Sequence, residues 1–171
     1  MTDGKVLYGV SAGVYVLKFI GEVRLDLCAA IDVFVDRLVH DVGLRGVIVD
    51  LSETRQIDST SLGLLAKLSL GSREVLHELP TLICNNPEVL RFLASMGFND
   101  VFHIVDMGDT DADMSAVRVP DIGQFGELPE RTASEAETRR RVLAAHRALM
   151  DLNDNNRRQF SDLVRMLEAE Q

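Results

Sequence analysis

The sequence predicts an α/β protein, a mixed sheet with packed helices, followed by a C-terminal helical extension. Three observations predict it. Apolar runs of strand length, at residues 6–10, 14–20, 46–51 and 81–84, alternate with segments whose apolar residues recur every three or four positions. The length, 171 residues, is close to that of one typical domain. Past Ile104 the composition turns acidic and Pro/Gly-interrupted, and then helical again.

The elements follow in order. Residues 6–10 and 14–20 are rich in β-branched and aromatic side chains, and Ser11-Ala12-Gly13 between them signals a hairpin. Gly21-Glu22-Val23-Arg24 closes the second strand. From Asp26, the expected N-cap, Leu27, Ala30, Ile31, Phe34, Val35 and Leu38 keep a helical period. Residues 46–51 form a continuous apolar run, the pattern of a central strand covered on both faces. Residues 52–56 read as a polar loop, and a second helix opens within Ile57-Asp58-Ser59-Thr60-Ser61-Leu62-Gly63. Residues 81–84 form a buried strand. Pro87 is a first helical residue before Val89, Leu90, Phe92, Leu93 and Met96, and Gly97 stops that helix. Residues 101–104 give a last strand. The order is β-β-α-β-α-β-α-β, with the central strands parallel.

The chain divides into an α/β domain over 1–105, an acidic linker over 106–130 and a helical extension over 131–171. The net charge of −9 falls unevenly on them: −4 for residues 1–104, −6 for the linker and +1 for the extension. The linker is extended or packed along the domain. Ser134-Glu135-Ala136-Glu137 is a capping box. Val142, Ala145, Leu149 and Leu152 make one apolar stripe; Phe160, Leu163, Val164 and Leu167 make another. Asn153, Asn155 and Asn156 lie between them and are weak helix formers. One long helix with a weak point is expected ahead of a tight helical hairpin.

Composition excludes several functions. An acidic chain with 5% aromatic residues and no Trp has little with which to neutralise phosphates or stack bases, so no nucleic-acid partner is expected. No run approaches the roughly 18 apolar residues that span a bilayer, no basic amphipathic stretch suits a lipid surface, and the N-terminus does not read as a signal peptide. A cytoplasmic protein is the reading. Cys28 and Cys84 sit in apolar segments without CxxC spacing and read as buried, reduced thiols. No cofactor or metal is expected. Asp109, Asp111 and Asp113 alternate like a calcium loop but lack its Gly and distal Glu.

The chemistry concentrates at residues 58–63. Ser59, Thr60 and Ser61 open a helix after a central strand, where unpaired N–H groups and the positive dipole end suit an anion. A phosphate on Ser59 would add roughly −1.5 to −2 charges beside Asp58, which repels it, and that conflict suits a switch. Gly63 and Ser61 leave a flat surface for close approach. From spacing alone, Asp58 or Ser59 is an N-cap. No G-x-S-x-G elbow or P-loop is present. No His lies near the serines in sequence. His146 reads as solvated or interfacial, His40, His77 and His103 are scattered, and Arg139-Arg140-Arg141 reads as a solvated face.

The run from Ile57 through Leu64-Leu65, after Val47-Ile48-Val49-Asp50-Leu51, resembles the phosphorylation motif of STAS-domain anti-sigma-factor antagonists, Asp-Ser-Ser/Thr-Gly-Leu-Gly. Glu22-Val23-Arg24-Leu25-Asp26 resembles the family's Gly-x-Leu-Asp segment. The likeness spans about residues 4–105. It implies a STAS-like fold and partner switching without catalysis. Ser59 is then phosphorylated by a serine kinase and dephosphorylated by a PP2C-type phosphatase. The unphosphorylated form binds an anti-sigma factor through Asp58, Ser59, Thr60, Ser61, Leu62 and Gly63. Thr60 is the second-choice phosphosite, and Ser61 stands where the family has Gly. The extension, on Ala145-His146-Arg147-Ala148-Leu149 and Leu152-Asn153, resembles that of HsbA-type antagonists, which bind a flagellar anti-sigma factor. Two other readings stay open: a small hydrolase or transferase using Ser59 or Thr60 as nucleophile, and a homo-oligomer assembled through residues 134–169.

Overall fold

A computed structural model describes residues 4–109 and 117–170. Among them are β1 (Lys5–Ser11), β2 (Val14–Val23), α1 (Leu25–Val39), β3 (Gly46–Ile57), α2 (Ser59–Leu76), β4 (Thr81–Cys84), α3 (Pro87–Ser95), β5 (His103–Asp106), β6 (Gly126–Glu127), α4 (Glu135–Met150) and α5 (Asp154–Ala169). The sheet order is β5-β4-β3-β2-β1-β6. β2 through β5 are parallel, as expected, while β1 runs antiparallel to both of its neighbours.

The β1–β2 turn is the two residues Ala12 and Gly13, with φ of 50° and 81°. Positive φ at both positions matches a type I′ turn, whose twist suits the flanking strands. It pins the register Ser11↔Val14 through Lys5↔Ile20. Alternation then sorts β3. Val47, Val49 and Leu51 face the main core with α1, α2 and α3, whereas Ile48 faces a second cluster with Val16 and Ile83. That second face is covered by the linker, through Val117 and Ile122. A Cβ at Gly9 would stand 2.4 Å from the Ile122 side chain, so the missing side chain lets the linker cross there.

Several boundaries differ from expectation. Residues 52–56 are not a loop; β3 runs on to Ile57, paired with the second half of β2 past two irregularities in register. Polar side chains are accommodated because the extension is anchored through its own polar groups. Thr54 donates to the Phe19 carbonyl at 2.8 Å, and the Asn86 amide reaches the Thr54 and Arg55 carbonyls at 3.4 Å. Asp26 is not the N-cap of α1. Arg24 holds that position without a side-chain bond, and Asp26 lies in the first turn, still favourable to the helix dipole. The strand expected at 101–104 lies at His103–Asp106, because a 3-10 turn, Phe98–Asp100, buries Phe98 first. β6 was not anticipated; two residues are too few for a period, and only pairing with β1 defines it.

The extension is a helical hairpin rather than one long helix. Asn153 ends continuity by capping α5, accepting from the Asn156 N–H at 2.8 Å. The Ser134–Glu137 capping box opens α4 as expected. Asp111 and Asp113 lie outside the described residues.

Candidate functional site

β3 leads directly into α2, so α2 begins at the C-terminal end of a parallel strand, where open α/β sheets place their functional loops. Asp58 caps the helix, accepting from the Ser61 N–H at 2.8 Å. The plain capping reading is therefore correct for Asp58, and it leaves Ser59 as the first helical residue with its hydroxyl free to point away from the backbone.

The neighbouring hydroxyls turn inward. Thr60 and Ser61 are buried, at 7% and 1% exposure. Ser61 Oγ lies 3.4 Å from the Cys28 sulfur on α1. Leu62 belongs to the main core, and Gly63 is buried. Of the six residues assigned to a partner surface, only Asp58 and Ser59 retain appreciable exposure. Burial pushes the Cys28 thiol up to about 12, against the opposing hydrogen bond from Ser61. Both cysteines are free and buried, as expected.

What covers this face is α4. A Cβ at Gly63 would lie 2.3 Å from the Ala145 carbonyl oxygen, so the two helices touch backbone to backbone. One turn away, Ser59 Oγ lies 2.9 Å from Nε2 of His146. Nδ1 of the same ring lies 2.7 Å from the Val142 carbonyl. A carbonyl only accepts, so Nδ1 carries a proton, and in the neutral ring Nε2 accepts from the Ser59 hydroxyl. His146 is 2% exposed and packs edge-on to Phe160 of α5, with ring centroids 5.0 Å apart.

Two polar groups seat the hairpin further out. Asp32 of α1 accepts from Arg141 of α4 at 3.1 Å and from Lys67 of α2 at 2.8 Å, tying three helices together. Burial alone would lower the Lys67 pKa, but hydrogen bonds to Asp32 and Asp36 outweigh it and raise the value. Asn156, fully buried, donates to the carbonyls of Met96 and Leu149 at 2.8 and 2.9 Å. The Arg run is thus divided: Arg141 docks on the domain, Arg139 pairs with Glu135 and Glu170, and Arg140 is exposed.

His146, Arg141 and Asp32 were missed as site residues. His146 follows Ala145 on the apolar side of α4, four residues past Val142, and that register was the available signal. Its serine partner is 87 residues away. His40, His77 and His103 do not join the site, and among the described residues no group of three or more His, Cys, Asp or Glu is placed to hold a metal ion. Among the described residues, no helix is long and apolar enough to cross a membrane. No protein-family model matches the chain, and no curated protein matches it.

Proposed function

We propose that this chain is a STAS-type anti-sigma-factor antagonist that works by partner switching at Ser59. The observation that carries this reading is the position of Ser59. It is the first residue of α2, at the N-terminus that Asp58 caps and at the end of β3, and it keeps partial exposure while Thr60 and Ser61 are buried. The mixed sheet and element order are those the sequence resemblance calls for. In the proposed cycle a kinase transfers the γ-phosphoryl group of a nucleoside triphosphate to Ser59 Oγ. The hydroxyl proton and the nucleoside diphosphate leave. A PP2C-type phosphatase hydrolyses the new P–O bond with water and releases inorganic phosphate. The unphosphorylated form binds the anti-sigma factor, and added charge beside Asp58 ends that binding.

Phosphate-affinity gels of cell extracts test the site: the wild type shows a shifted band that Ser59→Ala lacks. A shift shared equally by both removes Ser59 as the phosphosite. Calorimetry against the anti-sigma factor recovered by pull-down tests the switch, with Ser59→Asp expected to bind at least about tenfold more weakly.

One observation favours a second reading. Ser59 and His146 have the spacing of a nucleophile and its general base. Against it, the distal nitrogen of the ring is held by a backbone carbonyl, not a carboxylate, and the imidazole itself is buried under α4 and α5. A fluorophosphonate probe separates the readings: covalent labelling of Ser59, lost in His146→Ala, supports a hydrolase.

A further inference from the structure

The face that the proposed switch needs is occupied by the chain itself. Ser59 Oγ and His146 Nε2 are 2.9 Å apart, which leaves no room for a phosphoryl group between them. The ring cannot swing aside alone, because Val142 holds its Nδ1 and Phe160 packs against it. Ala145 and Gly63 meet backbone to backbone, so the two helices are already in contact and room for a phosphoryl group requires α4 to move outward. Resting on the partner-switching reading, we propose that the α4–α5 hairpin is an internal competitor for the switch face. Hairpin closed, Ser59 phosphorylated and partner bound are then three mutually exclusive states.

Two consequences follow from linkage. A closed hairpin shields Ser59 from the kinase, and a phosphate on Ser59 disfavours hairpin closure. The apparent affinity for the anti-sigma factor is lowered in proportion to the fraction of open chain. The hairpin docks on helices and the α3 C-terminus rather than on strands, through the Arg141–Asp32 pair, the Asn153 and Asn156 bonds to Met96 and the Ser59–His146 bond, with Ala145, Leu149 and Phe160 joining the main core. The occupant also describes what fits there. An external partner would present a helix with a small residue opposite Gly63 and a base opposite Asp32.

Amide hydrogen exchange on the full chain tests the inference, in the wild type, Ser59→Ala, Ser59→Glu and Ala145→Leu. Ser59→Glu adds bulk and charge at the contact and is expected to speed exchange in α4 and α5 about tenfold, with β2 and β3 unchanged. Ser59→Ala adds neither and stays nearer the wild type. Ala145→Leu cannot fit against Gly63 and is expected to speed exchange in residues 59–65 by a similar factor, with faster alkylation of Cys28. Hairpin protection equal to the wild type in both variants overturns the inference. If Ser59→Glu fails to fold, Ala145→Leu decides alone. Faster exchange throughout β2 and β3 in both also overturns it, because the hairpin is then part of one cooperative core. None of these measurements uses a partner or kinase. A firm hairpin sinks the competitor while the gel assay still judges Ser59, and an unphosphorylated Ser59 sinks the switch while the hairpin coupling stands.

Discussion

Single atoms decide how α4 meets α2. Replacing Gly63 by alanine gains up to about 1 kcal/mol of helix propensity, but the added methyl would sit 2.3 Å from the Ala145 carbonyl oxygen. Overpacking of this kind costs about 1–3 kcal/mol, so Gly63→Ala is expected to lower the stability of the full chain in urea. A more stable variant would mean a looser α2–α4 contact. Asn156 is a second such point. Its Nδ2 serves two carbonyls while its Oδ1 has no partner among the described residues. Asn156→Asp would aim a carboxylate at both carbonyls, and a loss of about 3–5 kcal/mol is expected by chemical denaturation. Cys28 gives a pH signature. Its thiol is raised from an ordinary 9.0 to about 12, so the neutral form belongs to the folded state. That contribution is complete below pH 9 and is lost as pH rises towards 12, at up to about 1.4 kcal/mol per pH unit. Tyr15, raised to about 12 by its hydrogen bond to Asp41, acts in the same direction from pH 10. Urea midpoints at pH 8 and pH 10.5 should therefore fall less in Cys28→Ala than in the wild type.

At the scale of elements, local signals and long-range contacts part company. The β1–β2 hairpin, Pro87 at the start of α3 and the Ser134 capping box are written in a few adjacent residues and are readable there, while the α2 cap reads as Asp58 or Ser59 and the structure gives it to Asp58. The second half of β3 was not readable, because Thr54 is held by Phe19, 35 residues earlier, and a polar run carries no strand period. The hairpin was misjudged for a related reason. Three asparagines weaken a helix without saying whether it bends or breaks, and the Met96 carbonyl, 60 residues before Asn156, favours the break. Asp32 shows how helices from distant parts of the chain are joined. A double-mutant cycle of Asp32→Asn and Arg141→Ala is expected to give a coupling of about 0.5–1 kcal/mol for this part-buried pair. No coupling would make the contact one of proximity alone.

For the molecule as a whole, the two apolar stripes of the extension are spent largely on α2 and on each other. Leu163 and Met166, at 37% and 63% exposure, remain outside on α5. A monomer is therefore expected by light scattering across concentration. A dimer abolished by Met166→Glu would favour the oligomer reading instead. The acidic linker is no free tether over the part described. Ile122 crosses β1 at Gly9, and Gly126–Glu127 pairs with Leu7 and Tyr8 of β1 as a short edge strand. Local periodicity by itself determined the α/β class, the parallel centre, the type of nearly every element and the serine-bearing helix terminus, because each depends on side chains within one or two turns. Tertiary structure alone decided that this terminus is covered. Residues 87 apart are not constrained by any local period, and the backbones of α2 and α4 meet only because Gly63 has no side chain to hold them apart.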